Sequence, residues 1–330
     1  MGILLALGPA TISRLVSPQP SPSEARRPPG FRVSGRLILD AKGNPFVIRG
    51  VNHLHVWHPH QTRAFADIRN AGANAVRVAL GSGQRWGPSP ATEVADVIRR
   101  CKHHHLVCVL QVHDTTGYGE QEGAASLDQA VAYWRSLYPV LTGEEAYVIV
   151  NIGNEPHGTR NARNWVQDTI RAVRALRQSG FRHALMVDAP DWGQDRQRIM
   201  RDNARRILRA DPDRNVIFSV HMYGAYNTAT AVQAYIRWFV ERDLPLVIGE
   251  FGWMHTDGDP NEDAIMAYAD QYRIGYLGWS WSGNHESMAY LDMVLMFDPN
   301  RLTPWGERLI NGPNGLRSSP YSAEASVYRP

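Results

Sequence analysis

The chain has 330 residues, 43% of them hydrophobic and 20% charged, with 35 Lys and Arg against 32 Asp and Glu. That is ample material for a sizeable core, and α/β barrels routinely run to about 200–250 residues or more as one domain. The charge is nearly balanced, with arginines interleaved with acids as in Arg196, Arg198, Arg201, Asp202, Arg205 and Arg206, which reads as a solvated helix face and excludes a nucleic-acid partner, while the absence of any apolar run near the roughly 18 residues of a membrane span excludes a membrane one.

In chain order, residues 1–30 read as a flexible leader. MGILLALGPATISRLV carries a short apolar patch with no positive stretch before it, a poor signal peptide as it stands and the remnant of a secretion segment. Ala6 breaks a myristoylation pattern, and SPQPSPSEARRPPG is too rich in Pro and Ser to bury a core. FRVSGRLILDAKGNPFVIRG then predicts a short β-hairpin turned at Lys42-Gly43-Asn44, a lid over the bottom of the barrel that residues 47–281 predict.

Between 31 and 315 the pattern alternates. Apolar runs occur at VIRGVNH (47–53), AVRVAL (75–80), LVCVLQVH (106–113), YVIVNIGNE (147–155), ALMVDAP (184–190), VIFSVHMY (216–223), PLVIGEF (245–251) and GYLGWSW (275–281). Stretches of helical period separate them, among them 62–72, 92–104, 126–141 and 164–180, with Ser126 as an N-cap and Gly72 and Gly180 just past helix ends. Apolar strands joined by helical crossovers are parallel and buried on both faces. Eight such units predict an α/β fold, a closed (β/α)8 TIM barrel; the first strand leads into VNHLHVWHP, which lacks the glycine-rich loop of a nucleotide-binding open sheet. Residues 316–330 (RSSPYSAEASVYRP and the residue before it) read as a linker-like tail. Cys101 would close a helix and Cys108 open the next strand, which leaves one disulfide or two buried thiols, neither catalytic.

Barrel sites lie at the C-terminal ends of the strands. His53, Arg77, His113, Asn154, Glu155, His221, Tyr223, Glu250 and Trp279 all fall there. Polar residues in such positions are expensive to bury without partners, so a ring of them predicts a site. Two carboxylates, one protonated and one ionised, are the equipment for cleaving a glycosidic bond. In that scheme Glu250 is the nucleophile and Glu155 the acid/base. Arg77 would hold Glu250 ionised, and Tyr223 would hydrogen-bond the same carboxylate. Asn154 would hold the sugar 2-hydroxyl, His113 and His221 would meet other hydroxyls, and Trp279 would floor the sugar ring. A metal is the competing idea, raised by His53-x-His55, His58-x-His60 and His103-His104-His105. No ligand set is complete, and the triplet suits a helix C-terminus.

The runs GNPFVIRGVNH, ANAVRVAL, VHDTTGYGE with SLDQAVAYW, VNIGNEP, LMVDAPDWGQD, FSVHMYGAY, LPLVIGEFG, HTDGDPNEDAIM, GYLGWSWSGN and YLDMV resemble the bacterial secreted β-mannanases of glycoside hydrolase family 5, subfamily 8. The resemblance implies a (β/α)8 barrel and retaining, endo-acting hydrolysis of internal β-1,4-mannosidic bonds in mannan, galactomannan and glucomannan. It implies Glu155 as acid/base and Glu250 as nucleophile, with Arg77, His113, Asn154, His221, Tyr223 and Trp279 lining the cleavage subsite. It further implies a secreted, extracellular monomer that needs no cofactor and has a β-mannan polymer or oligosaccharide as its partner. The alternatives are a β-1,4-glucanase on the same scaffold and a non-catalytic glycan-binding barrel, the second disfavoured because both carboxylates are present. The chain departs from the family pattern at Gln111, where relatives often carry Glu. It departs also at His157, at Trp253-Met254, and at HESMAYLD, where Ala289 takes an acidic position.

Overall fold

The alternation resolves into strands and helices in a computed structural model that describes residues 30–329; apart from Gly30, the expected leader lies outside them. A two-stranded hairpin comes first, β1 (Arg32–Ser34) and β2 (Leu37–Leu39). The barrel strands are β3 (Arg49–His53), β4 (Ala75–Leu80), β5 (Val107–Val112), β6 (Val148–Asn151), β7 (Leu185–Asp188), β8 (Val216–Met222), β9 (Leu246–Phe251) and β10 (Gly275–Gly278). Around them run α1 (Ala64–Asn70), α2 (Ala91–His103), α3 (Leu127–Ser136), α4 (Tyr138–Leu141), α5 (Trp165–Gln178), α6 (Ile199–Ala210), α7 (Ala229–Val240), α8 (Glu262–Tyr272) and α9 (Pro304–Asn311). Each barrel strand pairs in parallel with the next, and β10 closes on β3, the (β/α)8 architecture expected from the pattern.

Helix boundaries obey local chemistry. Ser126 and Gln129 form a capping box at the start of α3. The predicted helix over 126–141 divides at Leu137, because Pro139 in the first turn of α4 has no N–H to continue the ladder. Cys101 and Cys108 are both buried free thiols.

Two layers of core result. Val107, Val109, Ile149, Met186, Ile217, Val247 and Leu277 fill the barrel, with Phe31, Ile38, Phe46 and Ile48 from the hairpin region packed beneath them. A larger shell lies between strands and helices. The hairpin therefore plugs the barrel's lower end, but its turn differs from the expected one. Gly35 (φ 58°) and Arg36 make it, while Lys42 and Gly43 belong to a second turn that brings Pro45 back to Leu39. A two-residue connection with φ > 0 matches strand twist better than the longer loop.

The tail is also not a linker. Leu316 and Ala325 are fully buried. Asn74 Nδ2 donates to the carbonyls of Tyr321 (2.9 Å) and Ala323 (3.1 Å), the Ser326 amide donates to Asp40 (2.8 Å), and the Tyr328 hydroxyl donates to the Leu106 carbonyl (2.9 Å). A polar composition cannot reveal this, because the tail is held mainly through its backbone groups by side chains far away in sequence.

Candidate active site

The C-terminal rim of the barrel carries a polar network built around Arg77 on β4. Its side chain is fully buried and uses all five N–H donors. Nε donates to Asn151 (2.7 Å), Nη1 to Asn52 (2.8 Å) and Glu250 Oε1 (2.7 Å), and Nη2 to Asn154 (2.7 Å) and Asp188 Oδ2 (2.8 Å). One guanidinium thus fixes side chains from or just beyond β3, β6, β7 and β9.

Glu250 lies on β9, its side chain only 5% exposed. The Tyr223 hydroxyl donates to its Oε2 (3.0 Å), opposite the Arg77 contact on Oε1. Burial pushes the Glu250 carboxyl above its ordinary value, and the His221 and Arg77 cations pull it part of the way back. Burial and the neighbouring Glu250 charge keep the Tyr223 phenol protonated far into the alkaline range.

Glu155 was expected at a strand end but lies beyond one. β6 stops at Asn151, and the chain turns away because the Asn154 amide bonds the Val112 carbonyl (2.8 Å) and Thr115 Oγ1 bonds the Asn154 carbonyl (2.6 Å). Glu155 itself has φ 40°, a left-handed conformation that a non-glycine residue holds only when its surroundings over-determine it. Its side chain is 12% exposed, more open to the cleft than Glu250.

His221 stands between the two glutamates. Its Nδ1 is 2.8 Å from Glu155 Oε1 and 3.5 Å from Glu250 Oε2, and its Nε2 is 3.2 Å from Asp188 Oδ2. A register shift sets this position: Val220 pairs with Ile248, but His221 pairs with Glu250, skipping Gly249. The bulge turns His221 and Glu250 toward one another. Gly249 suits the crowding there, since a Cβ would lie 2.2 Å from Ser219 Oγ, which would have to turn away. Burial opposes the imidazolium, but Glu250 and Asp188 raise its pKa to about 10.

An aromatic wall completes the rim. His113 begins a turn directly after β5, and its ring lies 5.7 Å from Trp279 in a stacked arrangement, with Trp57 and Trp86 at 5.0 and 5.2 Å. Burial, then the Arg77 and Arg85 cations, hold His113 neutral well below the usual histidine range. Gln111 Nε2 lies 2.9 Å from its Nδ1; with the amide donating, the imidazole hydrogen sits on Nε2. Trp279, 8% exposed, donates from Nε1 to Asn284 (2.9 Å), which Asp292 holds in turn (2.7 Å).

One oxygen of Glu155, one of Glu250 and a His221 nitrogen lie within 4.8 Å of one another, the only such donor set among the described residues. It does not suit a metal ion. Arg77 and Tyr223 already occupy both oxygens of Glu250, and His221 supplies the positive charge.

Of the residues expected from strand ends, Arg77, His113, Asn154, Glu155, His221, Tyr223, Glu250 and Trp279 converge on this rim. His53 does not. It sits among Phe65, His55 and Phe297 outside the barrel, because its neighbour Asn52 takes the inward position and side chains alternate along a strand. The Asn154 amide is engaged by Arg77 on its oxygen and donates one hydrogen to Thr116 (2.8 Å), leaving one for a ligand. Asp188, Asn52, Asn151, Asn284 and Asp292 were missed. For Asp188 the signal was present: ALMVDAP is an apolar run ending in a carboxylate, the same pattern that marks Glu155 and Glu250.

A family profile described as Cellulase (glycosyl hydrolase family 5) matches residues 39–285. The chain is similar to a mannan endo-1,4-beta-mannosidase of Streptomyces lividans, 52% identical over 91% of this chain and 78% of that protein. It is 54% identical to a protein of Caldicellulosiruptor saccharolyticus named beta-mannanase/endoglucanase A, over 82% of this chain but only 20% of that longer protein. Among solved structures it is similar to the mannohexaose complex of a Thermomonospora fusca beta-mannanase, with TM-score 0.88, 51% identity, and coverage of 91% of this chain and 99% of that one.

Proposed function

The chain belongs to glycosyl hydrolase family 5, and from that premise we propose that it is a retaining endo-β-1,4-mannanase acting through Glu250 and Glu155. The observation that carries the reading is the approach of the two carboxyl groups, with nearest oxygens inside 4.8 Å. Retaining enzymes hold such a pair about 5–5.5 Å apart, whereas inverting ones leave about 6.5–9.5 Å for a water.

Glu250, oriented on one oxygen by Arg77 and on the other by Tyr223, attacks the anomeric carbon. Glu155, the more exposed of the two, gives its proton to the departing glycosidic oxygen. A covalent glycosyl-enzyme forms, and Glu155 then takes a proton from the water that releases the sugar. The remaining Asn154 hydrogen suits the 2-hydroxyl, whose contact strengthens in the transition state. Trp279 and His113 offer a flat face and a neutral N–H donor for the ring at the cleavage point. Mannan as the substrate is supported by the names of the relatives and by the hexasaccharide bound to the Thermomonospora fusca protein. A polymeric substrate is met outside the cell, so an extracellular monomer is part of the same proposal.

A second reading is cleavage of β-1,4-glucan by the same site; the double name of the Caldicellulosiruptor relative belongs to a protein of which this chain matches only 20%. Parallel assays on mannan and carboxymethyl cellulose separate the two. Glu155→Gln and Glu250→Gln are each expected to lower mannan turnover by about 10²–10⁴-fold or more while circular dichroism stays unchanged. Near wild-type turnover by either variant would remove that glutamate from the mechanism. NMR of the first products should show the β anomer, and the α anomer would overturn the retaining scheme.

A further inference from the structure

Asp188, the last residue of β7, has no exposed surface and does not face the cleft. Its Oδ2 lies 2.8 Å from Arg77 Nη2 and 3.2 Å from His221 Nε2, and its Oδ1 accepts from Asn151 Nδ2 at 3.0 Å. Its own carbonyl is fixed by Trp165 Nε1 at 2.8 Å, so the residue is held at both backbone and side chain. Each cation it touches reaches onward to a glutamate: Arg77 to Glu250, and His221 to Glu155 with Glu250 at the longer distance.

We propose that Asp188 is a positioning residue of the glycosidase site. By bridging Arg77 and His221 from beneath, it keeps both aimed at the glutamates as cations, so that Glu250 stays ionised and the two carboxyl groups stay in register for attack. The proposal rests on the reading of Glu155 and Glu250 as the catalytic pair.

Charge counting gives the physical reason. Arg77 and His221 contribute two positive charges, Asp188 and Glu250 two negative ones, and a protonated Glu155 none, so the buried cluster is neutral in the form that starts the reaction. Replacing Asp188 by a neutral residue leaves one positive charge in excess. Arg77 cannot shed it; without the Asp188 charge His221 holds its proton less firmly, and Glu155 gives up its own more readily. A neutral His221 no longer offsets the Glu250 charge, and its contact with Glu155 at 2.8 Å is no longer charge-assisted. The groups that face His221 are Glu155 beyond β6, Asp188 on β7 and Glu250 on β9, with His113 beyond β5 near enough to feel its charge, while Arg77 from β4 and Tyr223 beyond β8 reach it through Asp188 and Glu250. Burial works against its cation, and Asp188 with Glu250 outweighs burial.

The test is Asp188→Asn, which keeps the size of the side chain and one acceptor. Imidazole NMR should show His221 protonated above about pH 9 in the wild type and titrating about two units or more lower in the variant. kcat on mannan should fall about 10-fold or more with KM little changed, and the limbs of the kcat/KM profile should move. A variant whose His221 midpoint and pH profile stay in place, with only Tm lowered, would make Asp188 a structural residue and overturn the proposal. If that variant does not fold, Asp188→Ser decides by the same two readouts, and a wild-type His221 midpoint near the ordinary histidine value overturns the proposal by itself. Failure of the underlying mechanism is a different result, full activity of Glu155→Gln or Glu250→Gln, which is read from turnover and not from the His221 titration of the wild type.

Discussion

Arg77, Tyr223 and His221 each place a donor within 3.5 Å of Glu250. A buried carboxylate with such partners resists protonation, but burial wins here and the Glu250 pKa remains above its ordinary value. The nucleophile works ionised, so kcat/KM is lost as the pH falls through this raised value, earlier than for an exposed glutamate. Tyr223→Phe removes a donor that favours the charged form. Its acid limb is expected to move to higher pH by up to about one unit, with kcat reduced about 10-fold or more. An acid limb that stays put in Tyr223→Phe would show that this hydrogen bond does not tune Glu250.

At the scale of elements, the bulge between β8 and β9 decides the geometry. Without it, His221 would pair one residue earlier and its side chain would fall out of step with Glu250. Gly249→Ala puts a Cβ 2.2 Å from Ser219 Oγ and 3.2 Å from His221 Nε2. The Ser219 hydroxyl must turn away or the strands part, at a cost of about 1–3 kcal/mol, and turnover should fall with Tm. Adding Ser219→Ala to that variant should restore part of both, read by calorimetry and mannan assay; no recovery would locate the strain elsewhere. Helices support the rim in a recurring way. Trp134 donates to the Ile152 carbonyl (2.8 Å), Trp165 to that of Asp188 (2.8 Å) and Trp305 to that of Trp279 (2.7 Å). Each buried indole thus satisfies a carbonyl at a strand end and fixes the loop that carries a site residue.

For the whole molecule, the hairpin and the tail close the lower end of the barrel, opposite the site. Removing residues 319–330 takes one or two hydrogen bonds each from Asn74, Asp40 and the Leu106 carbonyl and takes Ser319 from the buried guanidinium of Arg49 (2.9 Å). At about 1 kcal/mol for each hydrogen bond, and about 2 °C per kcal/mol for a domain of this size, Tm should fall by about 5 °C or more. kcat should change little, because the site lies at the other rim. An unchanged Tm would return the tail to the status of a linker.

The alternation of apolar runs with helical stretches was enough by itself to determine the barrel, because period and apolar content are local properties of the chain. It also determined which rim to search and eight of the side chains found there, since a ring of polar groups closing apolar strands is costly to bury unless they partner one another at a site. Which of those side chains meet was decided only by tertiary structure. The skipped Gly249, the left-handed turn at Glu155 and the outward swing of His53 depend on pairing between strands remote in sequence. The same holds for Asp188 and for the tail: their roles come from partners such as Arg77, Asn74 and Asp40, and a buried charge or backbone group takes its meaning from what is brought within hydrogen-bonding distance of it.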